Sequence, residues 1–331
     1  VEPQFDAVKA FNEYTLSKEQ YYQVDGAVLL GGTSVNFDIF LLSGQKLQLL
    51  YEASERSPRN IDTPLEEGDV LINKTALPFY EEYLQSLSKT EVSSGEEKQK
   101  IKTVLVKEHS KIVIKDIFEN PLSREKIKLV IDVVGDTINC IFGDRDAIYD
   151  LLTLKKYDYN TYIHSVNVAA LSIGLASAIG LERDKIEKLG VGAMLHDIGK
   201  MTLPVELLNK EGKLNNTEYQ YYKKHVLEGV KILKKFDEIS QEALTSLMQH
   251  HEKLSGKGYP LGLAGDDIKL FGRITGIADC YDSLTTPMPN RYSLTPFRAL
   301  SIIAKEKEDY DLKLLKEFVA MLGKLQLKQA E

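Results

Sequence analysis

The apolar positions change period partway along the chain. Over residues 1–90 they come in short runs broken by turns. Val28–Leu30 precedes Gly31-Gly32, and Phe37–Leu42 and Leu47–Tyr51 flank Ser43-Gly44-Gln45 in the manner of a hairpin. Phe79, Tyr80, Tyr83, Leu84 and Leu87 then recur at helical spacing after Pro78. A small α/β domain is expected over residues 1–90. Thr90–Lys100, TEVSSGEEKQK, is polar and contains Gly and Ser, as a linker would. Helices over Ile101–Val106 and Ile127–Ile141 complete a connector spanning 91–149.

From about Tyr157 the period is helical throughout. Val168, Leu171, Leu175 and Ala178 follow His164 at steps of four and three. Ile186, Leu189, Gly190, Ala193 and Met194 form a second stripe, which His196 and Asp197 continue. Thr217 and Gln220 have capping-box spacing ahead of Tyr222 and His225. Ala243, Leu244, Leu247 and Met248 run into His250-His251, and Ile274, Ile277, Ala278 and Tyr281 make another helix around Asp279. The fold class expected is mainly α: a helical bundle over 150–331 behind a small α/β N-terminal domain.

Composition narrows the function. A chain 43% hydrophobic and 27% charged can build a sizeable core, and its net charge of −7 argues against a nucleic-acid polymer or a membrane surface as partner. The two cysteines, Cys140 and Cys280, imply no disulfide framework. VEPQFDAVKAF shows no leader pattern, and the longest apolar run, Val168–Leu181, is too short to span a bilayer. A cytoplasmic protein is the expectation.

Of the six histidines, only His109 lies outside positions 164–251. The other five sit on or beside apolar helical stripes. A single inward histidine is ordinarily a hydrogen-bonded core residue. Five together with two inward aspartates, Asp197 and Asp279, are a different matter, because a buried carboxylate is costly unless a cation compensates it. Imidazole and carboxylate ligands without cysteine suit Fe, Mn, Co or Zn. Seven ligands exceed one ion's usual geometry but divide over two ions if Asp197 bridges them. Two metals ~3.5–4 Å apart can clamp a phosphodiester for in-line displacement. Gly272, Thr275 and Gly276 precede Asp279 as a row of small residues that lets backbone approach a crowded site. Lys200 shares the helical face of His196 and Asp197. It reads either as a cation for transition-state phosphate charge or as an intrahelical partner of Asp197.

His164, LHDIGK (195–200), His225, HHEKLSGKGYP (250–260) and Asp279 together resemble the HD-GYP branch of the HD phosphohydrolases, from about Asp158 to Leu284. The resemblance implies a metal-dependent phosphodiesterase hydrolysing cyclic di-GMP, to pGpG or GMP. His164, His196, Asp197 and Asp279 match the ligands of one ion, and Asp197, His225, His250 and His251 those of the other. Asp197 and Lys200 take the catalytic positions, with Lys200 near the scissile phosphate. Gly258, Tyr259 and Pro260 match the GYP loop.

Asn160 stands where some members carry a glutamate for a third ion, so two divalent transition-metal ions are implied, iron ahead of manganese. Ser255 replaces the aspartate usual before Gly256. Aligned without a gap to the family's Arg-Pro-Tyr-Lys segment, this chain has Met288 at the first cation and Arg291 at the second; a shifted alignment puts Arg291 at the first. Arg291, Tyr259 and Lys200 are therefore the expected substrate contacts. The alternatives are hydrolysis of another phosphate ester, or a receptor or scaffold that binds nucleotide or a diguanylate cyclase without turnover. A signalling partner could meet the GYP loop or residues 1–90, a stretch whose FDIFLLSGQKLQLLYEA loosely resembles small domains preceding some HD-GYP domains.

Overall fold

The computed structural model describes residues 20–43, 46–62, 69–89, 96–120, 122–144, 147–152, 161–208, 210, 212–286 and 293–327. The chain divides into two compact units at His109/Ser110.

In the first unit, β1 (Tyr21–Val24), β3 (Ile39–Ser43), β4 (Lys46–Tyr51) and β6 (Asp69–Asn73) form an antiparallel sheet in the order β1-β6-β3-β4, and β2 (Ser34–Val35) pairs with β5 (Arg59–Asn60). The β3–β4 pair is the hairpin the pattern predicts, although Gly44 and Gln45 lie outside the described residues. Val28–Leu30 is not a strand: Asp25 accepts from the Ala27 amide and starts a 3₁₀ turn over Gly26–Val28. Alternate strand residues such as Tyr22, Val24, Ile39 and Ile72 are buried. α1 (Leu77–Lys89) joins them through Tyr80 and Tyr83, whose rings meet Phe37 edge-on at 5.9 and 6.0 Å. α2 (Glu96–Glu119) begins inside the segment read as a linker, so Glu96–Lys100 is helical; Thr90–Gly95 lies outside the described residues.

The second unit is helical. It comprises the remainder of α2, α3 (Arg124–Gly143), α4 (Ala147–Leu152), α5 (Thr161–Ala178), α6 (Arg183–Met194), α7 (Val205–Leu208), α8 (Asn216–Tyr222), α9 (Lys224–Leu233), α10 (Gln241–Gln249), α11 (Leu270–Thr285), α12 (Pro296–Lys305) and α13 (Leu312–Leu327). α5 is buried on every side from Ile163 to Ala176, as a helix apolar all round must be. α3, α4, α6, α11 and α13 pack around it. Among the described residues no helix is long and apolar enough to cross a membrane.

Two local expectations give way. The capping box is Asn215 with Glu218, two residues before Thr217 and Gln220: Asn215 accepts from the Glu218 amide at 2.9 Å, and Glu218 accepts from the Asn215 amide at 2.8 Å. Both boxes are present in sequence, and the carboxylate is the stronger acceptor. The stripe of α6 also ends before the ligands. α6 stops at Met194, and His196-Asp197 lie in the turn leading to a 3₁₀ helix over Ile198–Thr202.

Close approach sets that turn. A Cβ on Gly199 would lie 1.8 Å from the His225 carbonyl oxygen, so this position admits only hydrogen. On α11, a Cβ on Gly276 would lie 2.8 Å from the His250 carbonyl oxygen. Glycine here is the condition for bringing the turn onto α9 and α11 onto the end of α10. Gly199→Ala should cost at least about 1–3 kcal/mol by overpacking. Gly323→Ala, in open space on α13, should stabilise by roughly 0.5–1 kcal/mol. Urea midpoints of the two variants moving in the same direction would contradict this packing.

Candidate metal centre

Five elements deliver the candidate ligands to one place. His164 comes from the first turn of α5, His196 and Asp197 from the turn after α6, and His225 from the start of α9. His250 and His251 follow the last turn of α10, and Asp279 lies inside α11. The side chains fall into two groups, each with ligand atoms within 4.8 Å of one another: His164, His196 and Asp279, and Asp197, His225, His250 and His251.

The two oxygens of Asp197 face different groups. Oδ2 is 3.7 Å from His164 Nε2 and 3.5 Å from His196 Nε2; Oδ1 is 3.3 Å from His225 Nε2 and 4.0 Å from His250 Nε2. Asp279 also touches both groups, with Oδ1 3.0 Å from His164 Nε2 and Oδ2 3.5 Å from His251 Nδ1. The spacing suits one carboxylate shared between two cations.

Hydrogen bonds set which imidazole nitrogen faces inward. Nδ1 of His196, His225 and His250 lies 2.7–2.8 Å from the carbonyl oxygen three residues earlier: Ala193, Tyr222 and Leu247. A carbonyl only accepts, so each Nδ1 carries the proton and each Nε2 presents a lone pair. His164 Nδ1 is 2.7 Å from Asp282 Oδ2, and its Nε2 is 3.3 Å from that of His196.

Asp197 Oδ1 and the Nε2 atoms of His225, His250 and His251 are buried without a hydrogen-bond partner. Asp197 Oδ1 and the Nε2 lone pairs of His225 and His250 are acceptors converging on one another with no donor among the described residues between them, the arrangement a cation resolves. The donor set fits divalent metal.

Protonation agrees with that fit. Burial lowers the pKa of both His225 and His250 to about 4, so both are neutral near pH 7. Burial alone would raise Asp197. The adjacent Lys200 ammonium and the surrounding imidazoles outweigh it and hold Asp197 well below the usual carboxylate range. Burial also opposes charge on His164, but hydrogen bonds to Asp279 and Asp282 prevail and raise its pKa to about 10.

Several supporting residues went unread in the sequence. Asp282 is buried and accepts from Asn167 Nδ2 at 2.8 Å and Thr286 Oγ1 at 3.1 Å while holding His164. Asp282 and Asn167 each lie three residues beyond a candidate ligand, on its helical face, and that spacing could have marked them. Glu252, also buried, accepts from the Leu261 and Leu263 amides at 2.7 and 2.9 Å and so ties down the GYP loop. The Tyr259 amide donates to the His251 carbonyl at 3.2 Å, and its ring packs 4.6 Å from the His251 ring. Lys200 pairs with Asp197 and lies 5.5 Å from the Tyr222 ring centroid. It does so from a 3₁₀ helix, in which residues i and i+3 eclipse, rather than from an α-helical face. Asn160, Met288 and Arg291 lie outside the described residues.

A helical bundle carrying paired imidazole–carboxylate groups defines the class, and the comparisons give the family. The model described as HD domain matches residues 146–314, half of the chain, and the chain belongs to that family. HD phosphohydrolases use divalent metals. The chain is 33% identical over 192 residues to a cyclic di-GMP phosphodiesterase of Pseudomonas aeruginosa, covering 58% of this chain and 46% of that protein. It is 35% identical over 164 residues to a 3'3'-cGAMP-specific phosphodiesterase of Vibrio cholerae, covering 49% of this chain and 30% of that one. The chain thus spans less than half the length of these curated relatives. A solved structure of an HDG"Y"P protein from Bdellovibrio bacteriovorus superposes with a TM-score of 0.69 at 21% identity, covering 92% of this chain and 99% of that one, and shares the fold. The HD-GYP resemblance carried by the motifs is borne out.

Two outcomes are expected. A cation binding at His164 must displace its proton, whereas proton competition at His225 and His250 begins only near pH 4. Mn²⁺ affinity should therefore rise with pH, about tenfold per unit over roughly pH 6–9 for one displaced proton. A flat profile by calorimetry would contradict this. Asp282→Asn should weaken binding of one ion by about 10–100-fold while the other is retained. Unchanged Mn²⁺ titrations would exclude the support role.

Proposed function

We propose that this chain is a metal-dependent phosphodiesterase hydrolysing cyclic di-GMP, to pGpG or GMP, at a binuclear His/Asp centre. The observation that carries the reading is the division of Asp197, with one oxygen toward each ligand group. In this reading His164, His196, Asp197 and Asp279 hold one ion, and Asp197, His225, His250 and His251 the other. Iron is preferred to manganese on the family resemblance.

When bound, the cations supply Lewis acidity at the phosphate and lower the pKa of water there. The protein's own groups do the rest. The carbonyls of Ala193, Tyr222 and Leu247 fix three imidazoles as neutral Nε2 donors, and Asp282 orients the fourth. Lys200, beside Asp197, provides a fixed ammonium for phosphate charge as it develops. Tyr259, stacked on His251, gives a base or ribose an apolar wall. Arg291 retains the phosphate or guanine contact assigned from sequence. A second substrate, 3'3'-cGAMP, is favoured by relatives named for its cleavage.

Residues 150–331 are the catalytic domain in this scheme, and residues 1–90 a regulatory or partner-binding one. The GYP loop offers a signalling partner Leu261, 58% exposed.

The test is turnover of a cyclic dinucleotide panel by the full chain loaded anaerobically, with elemental analysis alongside. About two ions per chain are expected from the ligand supply. Asp197→Ala should lose both ions and all turnover, and His164→Ala mainly one ion. Fewer than about one ion per chain, or equal loss in the two variants, would remove the case for a bridged pair. Metal-loaded protein cleaving none of the panel would refute the activity.

A further inference from the structure

A cyclic dinucleotide carries two phosphodiesters in one ring. Seating one at the metal centre brings the second close to a protein whose net charge is −7. That second anion needs a local cation, or its approach is opposed by the field of the whole molecule. We propose that Lys223, held between Tyr219 and Tyr259, contacts the second phosphate of a cyclic dinucleotide bound at this centre. The assignment rests on the proposed phosphodiesterase reading.

Position, pairing and chemistry support it. Lys223 joins α8 to α9, two residues before His225. Its Nζ lies 5.1 Å from the Tyr219 ring centroid and 5.6 Å from that of Tyr259. The two rings meet edge-on at 6.1 Å, and the Tyr259 ring packs on His251. The clamp is therefore continuous with the candidate ligands.

Other lysines of this region are engaged elsewhere: Lys200 with Asp197, Lys210 with Glu218 at 2.6 Å, Lys231 with Glu228 at 2.6 Å, and Lys224 over the Tyr221 ring at 4.6 Å, away from the Tyr219–Tyr259 pair. No carboxylate among the described residues is in an ion pair with Lys223. Cation–π attraction holds the ammonium through ring faces without consuming its N–H donors. A compact point charge with free donors suits a non-bridging phosphate oxygen. Tyr219, 44% exposed, leaves part of its ring open beside that charge.

A purely structural Lys223 would brace Tyr259 and act on every substrate alike. A phosphate contact acts only on substrates with a second phosphate. The experiment compares cyclic di-GMP with bis(4-nitrophenyl) phosphate, a single diester, using the Mn²⁺-loaded full chain. Lys223→Met keeps an apolar stem on the rings and removes the charge. Its KM for cyclic di-GMP should rise roughly tenfold to a hundredfold, the value of a charged hydrogen bond, with kcat and metal content unchanged. Its kinetics on the single diester should match the parent, and Lys223→Arg should restore most of the dinucleotide affinity. Lys223→Gln serves the same purpose should the methionine variant not fold.

An unchanged KM, equal losses on both substrates, or a fall in metal content overturns the assignment alone. A parent enzyme that cleaves the single diester but no cyclic dinucleotide overturns the functional reading, and this assignment with it.

Discussion

Asp197 is a carboxylate with 1% of its surface exposed, and one of its oxygens has no hydrogen-bond donor. Burying such a group is costly unless cations surround it, and the rest of the second unit is arranged around that requirement. The turn after α6 carries Asp197 inward, α9 lies against that turn, and α10 and α11 close the far side. Lys200 compensates the charge in part, but it contacts one oxygen. The other faces imidazole lone pairs at 3.3 and 4.0 Å, a contact that only a positive charge makes favourable.

The imidazoles are aimed by a device used three times. Ala193 lies in the last turn of α6, Tyr222 ends α8, and Leu247 lies in the last turn of α10. Each carbonyl takes an Nδ1–H from the histidine three residues on. Helix C-termini leave carbonyls without intrahelical partners, so the histidine satisfies the helix while the helix selects its tautomer. Those termini also carry the negative end of the helix dipole, which favours cations nearby. His164 sits at the start of its helix, where no such carbonyl is available, and takes a carboxylate instead. Asp282 supplies it, held in turn by Asn167 and Thr286.

What was legible in the sequence followed from periodicity and chemical rarity. A run of helical stripes gave the bundle, the β3–β4 hairpin showed in its turn residues, and five inward histidines with two aspartates exceeded what a core tolerates. The small residues before Asp279 also read correctly, since Gly276 is where α11 meets the His250 carbonyl. The failures were local. Two overlapping capping boxes, Asn215 with Glu218 and Thr217 with Gln220, have the same spacing, and spacing alone does not rank them. The end of α6 was missed because apolar spacing continues through Leu195 into Ile198, although the backbone has changed to a tighter helix. Asp282 and Glu252 do not differ in sequence from ordinary surface acids. Their role depends on a neighbour that only the fold provides.

The charges of the site bear on how an acidic protein can receive an anionic substrate. Asp197, Asp279 and Asp282 are buried; Lys200 pairs with Asp197, and His164 pairs with Asp279 and Asp282. Without metal, the three carboxylates outnumber the two cations, Lys200 and protonated His164, and a phosphodiester approaching the site would be repelled. The two divalent ions of the proposed centre would reverse that sign, among buried groups where low dielectric strengthens every charge. On the proposed reading, metal loading would decide whether a phosphodiester can enter at all, before it contributes to any reaction. The same reasoning explains why neutral imidazoles, rather than further carboxylates, make up most of the ligand set. They donate electron pairs without cancelling the positive charge that draws the phosphate in.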